Sequence, residues 1–337
     1  MIFLVLLPVT LLLAGLVYQA AETARDRRRY PAPGRIVDVS GHKLHILELG
    51  YGSPVVVLEA GIGASSLSWV RVQPKIARFT RVVSYDRAGL GWSAGAKAPP
   101  TVERMISEFR SLLKSAGVPA PYLLVGHSFG GLLVRAYAAL YASEVAGLVL
   151  VDPVGITTWA DCTPAALRRV QLGARLGKRG ARLARVGVVR AALATLVAGR
   201  TWFPKLAART GGKNGTAAMA HLIAEVRKLP SELWPIVRAH WSDPKCFQAL
   251  SGYLGCLPES ARYVRKLLVG DIPTIILSAS TATQQELDER DSWVEAAGQG
   301  SEHHRVPGSG HWLHLDYPEL VVDAIRSLLE RKKLPDA

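Results

Sequence analysis

From residue 35 onward the chain alternates short apolar runs with stretches whose apolar residues recur every three or four positions. The runs at 54–59 (PVVVLE), 82–85 (VVSY), 122–125 (YLLV), 145–151 (VAGLVLV) and 274–277 (TIIL) carry no alternating polar face. Strands covered on both faces have this composition. Residues 67–78, 102–116, 129–141 and 318–332 have helical spacing, and 35–39 with 43–49, joined at Ser40-Gly41-His42, predict an opening hairpin. Strands alternating with helices predict a mostly parallel sheet with helices on both faces.

The alternation stops between residues 153 and 270, where the chain is helical in pattern and marked by Gly, Pro and Trp. A compact domain does not accommodate about 120 residues as a connecting loop. The segment is therefore expected to be an inserted helical lid, dividing the core into 35–152 and 271–333. At the other end, residues 1–21 carry no charge and just reach the roughly 20 residues that cross a bilayer. No basic residue precedes this run, as a cleavable signal would require; Arg25, Arg27, Arg28 and Arg29 follow it. The expectation is a single-pass anchor with the following domain on the cytoplasmic side, a cleaved signal and an exported domain being the alternative. Residues 22–34, with Pro31, Pro33 and Gly34, read as a basic, stiff linker.

Charge changes this picture in one place. The formal net charge is +14 over 337 residues, and no carboxylate falls between Asp161 and Glu225, whereas Arg168, Arg169, Arg175, Lys178, Arg179, Arg182, Arg185, Arg190, Arg200, Lys205, Arg209 and Lys213 do. Such a block suits an anionic lipid surface, or is simply a solvated helix face. No nucleic-acid-binding signature accompanies it. Cys162, Cys246 and Cys256 have no metal spacing, and Cys246 and Cys256 are free to pair only in an oxidising compartment.

The strongest chemical signal is Gly126-His127-Ser128-Phe129-Gly130, between the strand YLLV and a helical stretch. A G-x-S-x-G sequence in that context puts a serine on a sharp strand-to-helix turn. Serine is a weak nucleophile and needs a base, which in turn needs an orienting group. His311, in the glycine-rich stretch GSGHW, is the candidate base; His314 competes but reads as a structural hydrogen-bonding residue, and His303 and His304 read as an exposed edge. For the acid, Asp152 ends the strand VAGLVLV at the carboxyl edge of the sheet, where open α/β folds bind ligands; Glu286, Asp288 and Asp291 are the alternatives. The backbone N–H groups of Phe129 and of Ile62, in the loop EAGIGASS, are the candidate oxyanion donors.

Taken together, GHSFGG (126–131), AGIG (60–63), YDRAGLGWS (85–93) and SGHWLHLDYPE (309–319) resemble the α/β-hydrolase superfamily, in its lipase, esterase and peroxidase-like branch. The resemblance covers residues 35–329 apart from the lid. It implies an eight-stranded, mostly parallel sheet, a cap inserted after the sixth strand, and a turn at Asp86, Arg87 and Gly89 beside the active site. This chain has Ala60 where the family often has histidine, and Thr281 where it often has aspartate, which favours an acid after the sixth strand. The implied function is a serine esterase acting on a small lipophilic ester, with no metal or organic cofactor. Amide or C–C hydrolysis, acyl transfer and slow-turnover ligand sensing remain open on the same triad. Trp202, Trp234, Trp241 and Tyr253 are the aromatic residues of the lid that would shape a pocket or fill its core.

Overall fold

The computed structural model describes residues 2–197 and 226–331. Helix α1 (Ile2–Arg29) leads into eight strands, β1 (Arg35–Val39), β2 (His42–Leu49), β3 (Val55–Glu59), β4 (Val82–Tyr85), β5 (Tyr122–His127), β6 (Val145–Val151), β7 (Thr274–Ala279) and β8 (Glu302–Val306). They form one sheet in the order β1-β2-β4-β3-β5-β6-β7-β8. β1, β2 and β4 pair antiparallel, and every other pairing is parallel. This is the expected α/β-hydrolase architecture.

Two cores result from the two-residue repeat of a strand. Val55, Val57, Leu124, Leu148 and Leu150 point to one face, under α2 (Val102–Ser115) and α3 (Phe129–Leu140). Their neighbours Val56, Leu58, Leu123, Val125, Val149 and Val151 point to the other, under Trp69, Ile76 and the last helix, Pro318–Arg331. Both faces are covered, so the apolar runs have no polar alternation.

Between β6 and β7 stand α4 (Ile156–Ala160), α5 (Pro164–Arg185), α6 (Val188–Val197), α7 (Trp234–Ser242) and α8 (Pro244–Val264), with α9 (Gln284–Glu295) following β7. Trp202 and the basic residues Arg200, Lys205, Arg209 and Lys213 lie outside the described residues.

Three local expectations are corrected. The helix expected at 67–78 is broken into two single turns, Ser66–Trp69 and Gln73–Ile76, because Pro74 has no N–H to continue a helix and starts a new one instead. The segment expected as a linker from residue 22 is helical through Arg29, as its Ala, Glu and Arg content favours. Cys246 and Cys256 lie ten residues apart on α8, about 15 Å along the axis, and cannot pair.

One buried ion pair organises the loops at the carboxyl edge. Arg87 pairs with Glu59 at the end of β3 and also donates to the carbonyls of Ala60 and Gly61. Both side chains are buried and Tyr85 donates to the same carboxylate. Breaking a buried pair leaves a charge without compensation, so Arg87→Leu is expected to cost about 3–5 kcal/mol. A denaturation midpoint unchanged from the parent would contradict this account.

Candidate functional site

β5 and β6 run side by side with His127 opposite Val151, so Ser128 and Asp152, the next residue of each strand, emerge together at the carboxyl edge. Both are strained. Among the described residues only three other than glycine have positive φ: Ser40 (55°), in the β1–β2 turn, Ser128 (55°) and Asp152 (40°). Such conformations cost about 1–3 kcal/mol each and persist where surrounding structure dictates them. Here the Ser128 N–H is fixed to Val151 O at 3.0 Å and the Asp152 N–H to Leu277 O at 2.7 Å.

The glycines of GHSFGG are there to admit the turn. A Cβ on Gly126 would lie 2.6 Å from the backbone of Gly130, and one on Gly130 only 2.4 Å from Glu59 O. Ser128 occupies the N-cap of α3, where a serine ordinarily accepts a hydrogen bond from the helix. With ψ at −119° it does not cap. Among the described residues its hydroxyl has no hydrogen-bond partner, and contacts of this kind commonly tighten only once substrate binds.

His311 is tied to both strands. Its Nδ1 lies 2.6 Å from Asp152 Oδ2, and its carbonyl accepts from His127 Nε2 at 2.9 Å. With Nδ1–H donating to the carboxylate, the neutral ring keeps Nε2 as an acceptor. The other Asp152 oxygen, Oδ1, accepts from the Ala279 N–H at 3.1 Å and from Arg290 Nη1 at 3.0 Å. Burial alone would raise this carboxyl; the His311 hydrogen bond and the Arg290 charge outweigh it and hold it below its ordinary value.

The structure brings none of the other candidate acids to His311. Glu286 closes a capping box with Thr283, Asp288 accepts from Gln284, and Asp291 binds His303 Nδ1 at 2.6 Å and Arg305 at 3.0 Å. His303 is thus no exposed edge residue: its side chain is shielded, and its Nε2 lies 2.7 Å from Ser278 Oγ. His314 is corrected as well. It is completely buried among His127, Trp69 and Trp312, and neither ring nitrogen has a hydrogen-bond partner. Burial, then the nearby His311 and Lys228, push it down to about 3, so it is a neutral packing residue at neutral pH.

The Ile62 loop faces the same spot. A Cβ on Gly61 would sit 3.4 Å from Ser128 Cβ. The loop is a tight turn closed by the Ala64 N–H on Gly61 O, a bond that does not use the Ile62 N–H. Phe129 is the first residue of α3, whose N–H has no partner within the helix. Trp241 and Leu250 of the inserted helices rest against Gly63. Tyr253 is core, donating to Ala88 O beneath Arg87, and Trp234 donates to Leu229 O, away from these residues.

Arg290 was not legible as a site residue. Its stretch, QQELDERDSWVE, reads as a solvated helix, and the one signal is that Arg290 shares a helical stripe with Leu287 and Val294. It is nevertheless 2% exposed and binds Asp152, Ser278 and Pro153 O together. A carboxyl whose folded value is depressed stabilises the protein above its unfolded pKa, and that contribution is lost as pH falls through the folded value. Arg290→Gln lessens the depression. Its melting-temperature deficit is expected to be largest near pH 7 and to shrink as pH is lowered below about 4, in melts recorded across that range. A deficit independent of pH would refute the charge role of Arg290.

Comparison with known proteins follows the same lines. An alpha/beta hydrolase family model matches residues 55–324. Uncharacterized protein YqjL of Bacillus subtilis is 38% identical over 104 residues, 31% of this chain and 41% of that protein. A 2-hydroxy-6-oxo-6-(2'-aminophenyl)hexa-2,4-dienoic acid hydrolase of Metapseudomonas resinovorans is 32% identical over 138 residues, 40% of this chain and 48% of that protein. Each match thus spans under half of the relative. Among solved structures, a thermophilic esterase from Thermogutta terrifontis superposes with a TM-score of 0.59 at 20% identity, over 88% of this chain and 96% of that one. At that identity the likeness is one of fold. The extent of the family match, with the sheet order and the serine turn, is decisive: this chain belongs to the alpha/beta hydrolase family.

Proposed function

We propose that the chain is a serine hydrolase that cleaves a carboxylic ester of a lipophilic substrate through an acyl-enzyme. The observation that carries this reading is the pair of strained strand ends, Ser128 and Asp152, with His311 held on the Asp152 carboxylate at 2.6 Å. In this mechanism Ser128 Oγ attacks the ester carbonyl while its proton passes to His311 Nε2. The tetrahedral oxyanion is met by the N–H groups of Ile62 and Phe129. Collapse breaks the C–O bond, and the imidazolium returns its proton to the leaving alcohol. Water, deprotonated by the same ring, then attacks the acyl-serine and restores the enzyme. Asp152, kept anionic, holds the tautomer that leaves Nε2 free and stabilises the imidazolium in each half.

The preference for a lipophilic ester rests on α1, which is apolar and long enough to cross a membrane and which we read as a retained anchor. Arg190 supports retention of the part of α1 that it holds, because its partners Gln19, Thr23 and Asp26 are all on α1 and cleavage beyond them would leave a buried guanidinium unpaired. Arg25, Arg27, Arg28 and Arg29 favour a cytoplasmic catalytic domain. A second reading, C–C bond hydrolysis on the same three residues, draws on the similarity to the Metapseudomonas hydrolase.

The test is labelling of the full chain by a fluorophosphonate probe, followed by steady-state turnover of short- and long-acyl p-nitrophenyl esters and of a vinylogous diketone. Labelling is expected to vanish in Ser128→Ala and His311→Ala, with turnover falling by at least about 10³-fold and long acyl chains preferred. Folded protein that takes no label refutes the serine mechanism. Turnover of the diketone alone selects C–C hydrolysis, and labelling without sustained turnover selects a ligand sensor.

A further inference from the structure

Helix α1 is shielded along a single stripe. Among residues 6–29 only Gly15, Gln19, Glu22, Thr23 and Asp26 are not exposed, a helical repeat, and the stripe packs on the insertion. A Cβ on Gly15 would lie 2.5 Å from Val186 O, and one on Gly187 2.7 Å from the Tyr18 ring. Two glycines thus let the helix touch the α5–α6 corner backbone to backbone. One turn further along, buried Arg190 donates from Nε to Gln19 Oε1 at 3.1 Å and from Nη2 to Thr23 Oγ1 at 3.4 Å, and pairs through Nη1 with Asp26. Gln19 Nε2 in turn donates to Ser242 O at 2.8 Å.

The depth of this contact follows from the helix itself. Residues 2–21 carry no charge and, at about 1.5 Å per residue, span about 30 Å, the thickness of the hydrocarbon layer. Glu22 marks the end of that stretch, so Gly15 lies about 10 Å inside it. Whatever touches Gly15 and Tyr18 shares their depth. The corner is built for such a place: Leu183 and Val188 are exposed there, and Leu172 and Leu176 continue the exposed apolar stripe along α5, flanked on the outer face of α5 by exposed Arg175, Arg179 and Arg182. No carboxylate occurs from residue 162 to residue 197. Exposed leucines bordered by arginines on one helix face are the composition that settles into the headgroup and acyl boundary, to about 5–10 Å.

We propose that the α5–α6 corner is seated in one leaflet of an anionic bilayer while α1 crosses beside it. The proposal rests on the anchor reading above and is independent of the chemistry at Ser128. Trp241 is the residue before Ser242, whose carbonyl α1 holds, and it lies against Gly63 beside the candidate oxyanion loop.

The test uses the full chain in a Cys162→Ser, Cys256→Ser background, carrying one new cysteine, Leu183→Cys, Val188→Cys or, as a water-exposed reference on the core, Tyr51→Cys. Each is labelled with an environment-sensitive fluorophore and placed in phosphatidylcholine vesicles with or without phosphatidylglycerol. The protein is expected to float with the vesicles. Emission at 183 and 188 is expected to shift to the blue and to be quenched by lipid brominated on its acyl chains, more strongly with phosphatidylglycerol, while position 51 responds to neither. Joint replacement of Arg175, Arg179 and Arg182 by Glu should weaken quenching at 183. Floating protein whose 183 and 188 labels report water as position 51 does overturns the seating of the corner. A blue shift that grows with protein density but is not quenched by brominated lipid also overturns it, in favour of contact between copies of the chain. Protein that fails to float overturns the anchor and the corner together. Loss of fluorophosphonate labelling would refute the serine reading and leave these readouts unchanged.

Discussion

The Asp152 carboxylate is the constraint on which the rest of the site depends. A buried carboxylate must be compensated on every side, and this one draws its compensation from three directions: the Ala279 N–H at the end of β7, Arg290 on α9, and the His311 ring. One anion thus fixes the relative positions of a strand end, a helix and the loop that carries the candidate base. The parallel order β5-β6-β7 makes this possible, because it places the Asp152 strand between that of Ser128 and that of Ala279. The strained φ of Asp152 belongs to the same arrangement. An unstrained residue there would continue β6 and carry its side chain away from the loop.

The parts of this arrangement that depend on local sequence were legible before the fold was known. Apolar runs located the strands, since a strand covered on both faces has no polar side to disguise it. The serine turn was legible because its signature is contiguous and Gly126 must clear the backbone of Gly130 four positions on, although Gly130 also answers to Glu59 on the neighbouring strand. Asp152 was reachable as the residue that follows β6, although nothing local distinguished it from a helix cap. What the sequence did not reveal depends on contacts between distant segments. Arg290 reaches Asp152 across 138 positions, and His303 is shielded because its strand places it between Ser278 of β7 and Asp291 of α9. His314 misled because a histidine suggests hydrogen bonding, whereas its surroundings are aromatic on all three described sides. The polar stripe of α1 went unseen for a similar reason: Gln19 alone does not break an apolar run, Thr23 and Asp26 fall in a stretch that reads as a linker, and the three acquire meaning only opposite Arg190.

The inserted helices connect these two ends of the molecule. Asp243 caps α8, accepting from the Lys245 N–H, and faces Arg27 of α1 at 3.8 Å. Two residues later Lys245 Nζ donates to the carbonyls of Gly91 and Ser93 at 2.8 and 2.6 Å. Further along the helix Ala249 lies where only a glycine fits, at Gly89, and the Tyr253 hydroxyl donates to Ala88 O at 2.9 Å. One face of α8 therefore grips the turn that contains Arg87, and Arg87 grips the carbonyls of Ala60 and Gly61 just before the Ile62 N–H. Swinging α8 outward would strip hydrogen bonds from a half-buried ammonium and a buried phenol, a net loss of about 1.5–3 kcal/mol for a charged bond and about 0.5–1.5 kcal/mol for the neutral one. On its other side α8 packs closely along α5, with Gly177 and Gly180 against Ser251 and Phe247 and a hydrogen bond from Ser251 Oγ to Ala174 O. The insertion is thus fixed where it supports the candidate oxyanion loop, and the helix whose leucines and arginines face outward is packed closely along that same α8, so the outward face and the loop beside Ser128 are held by one element.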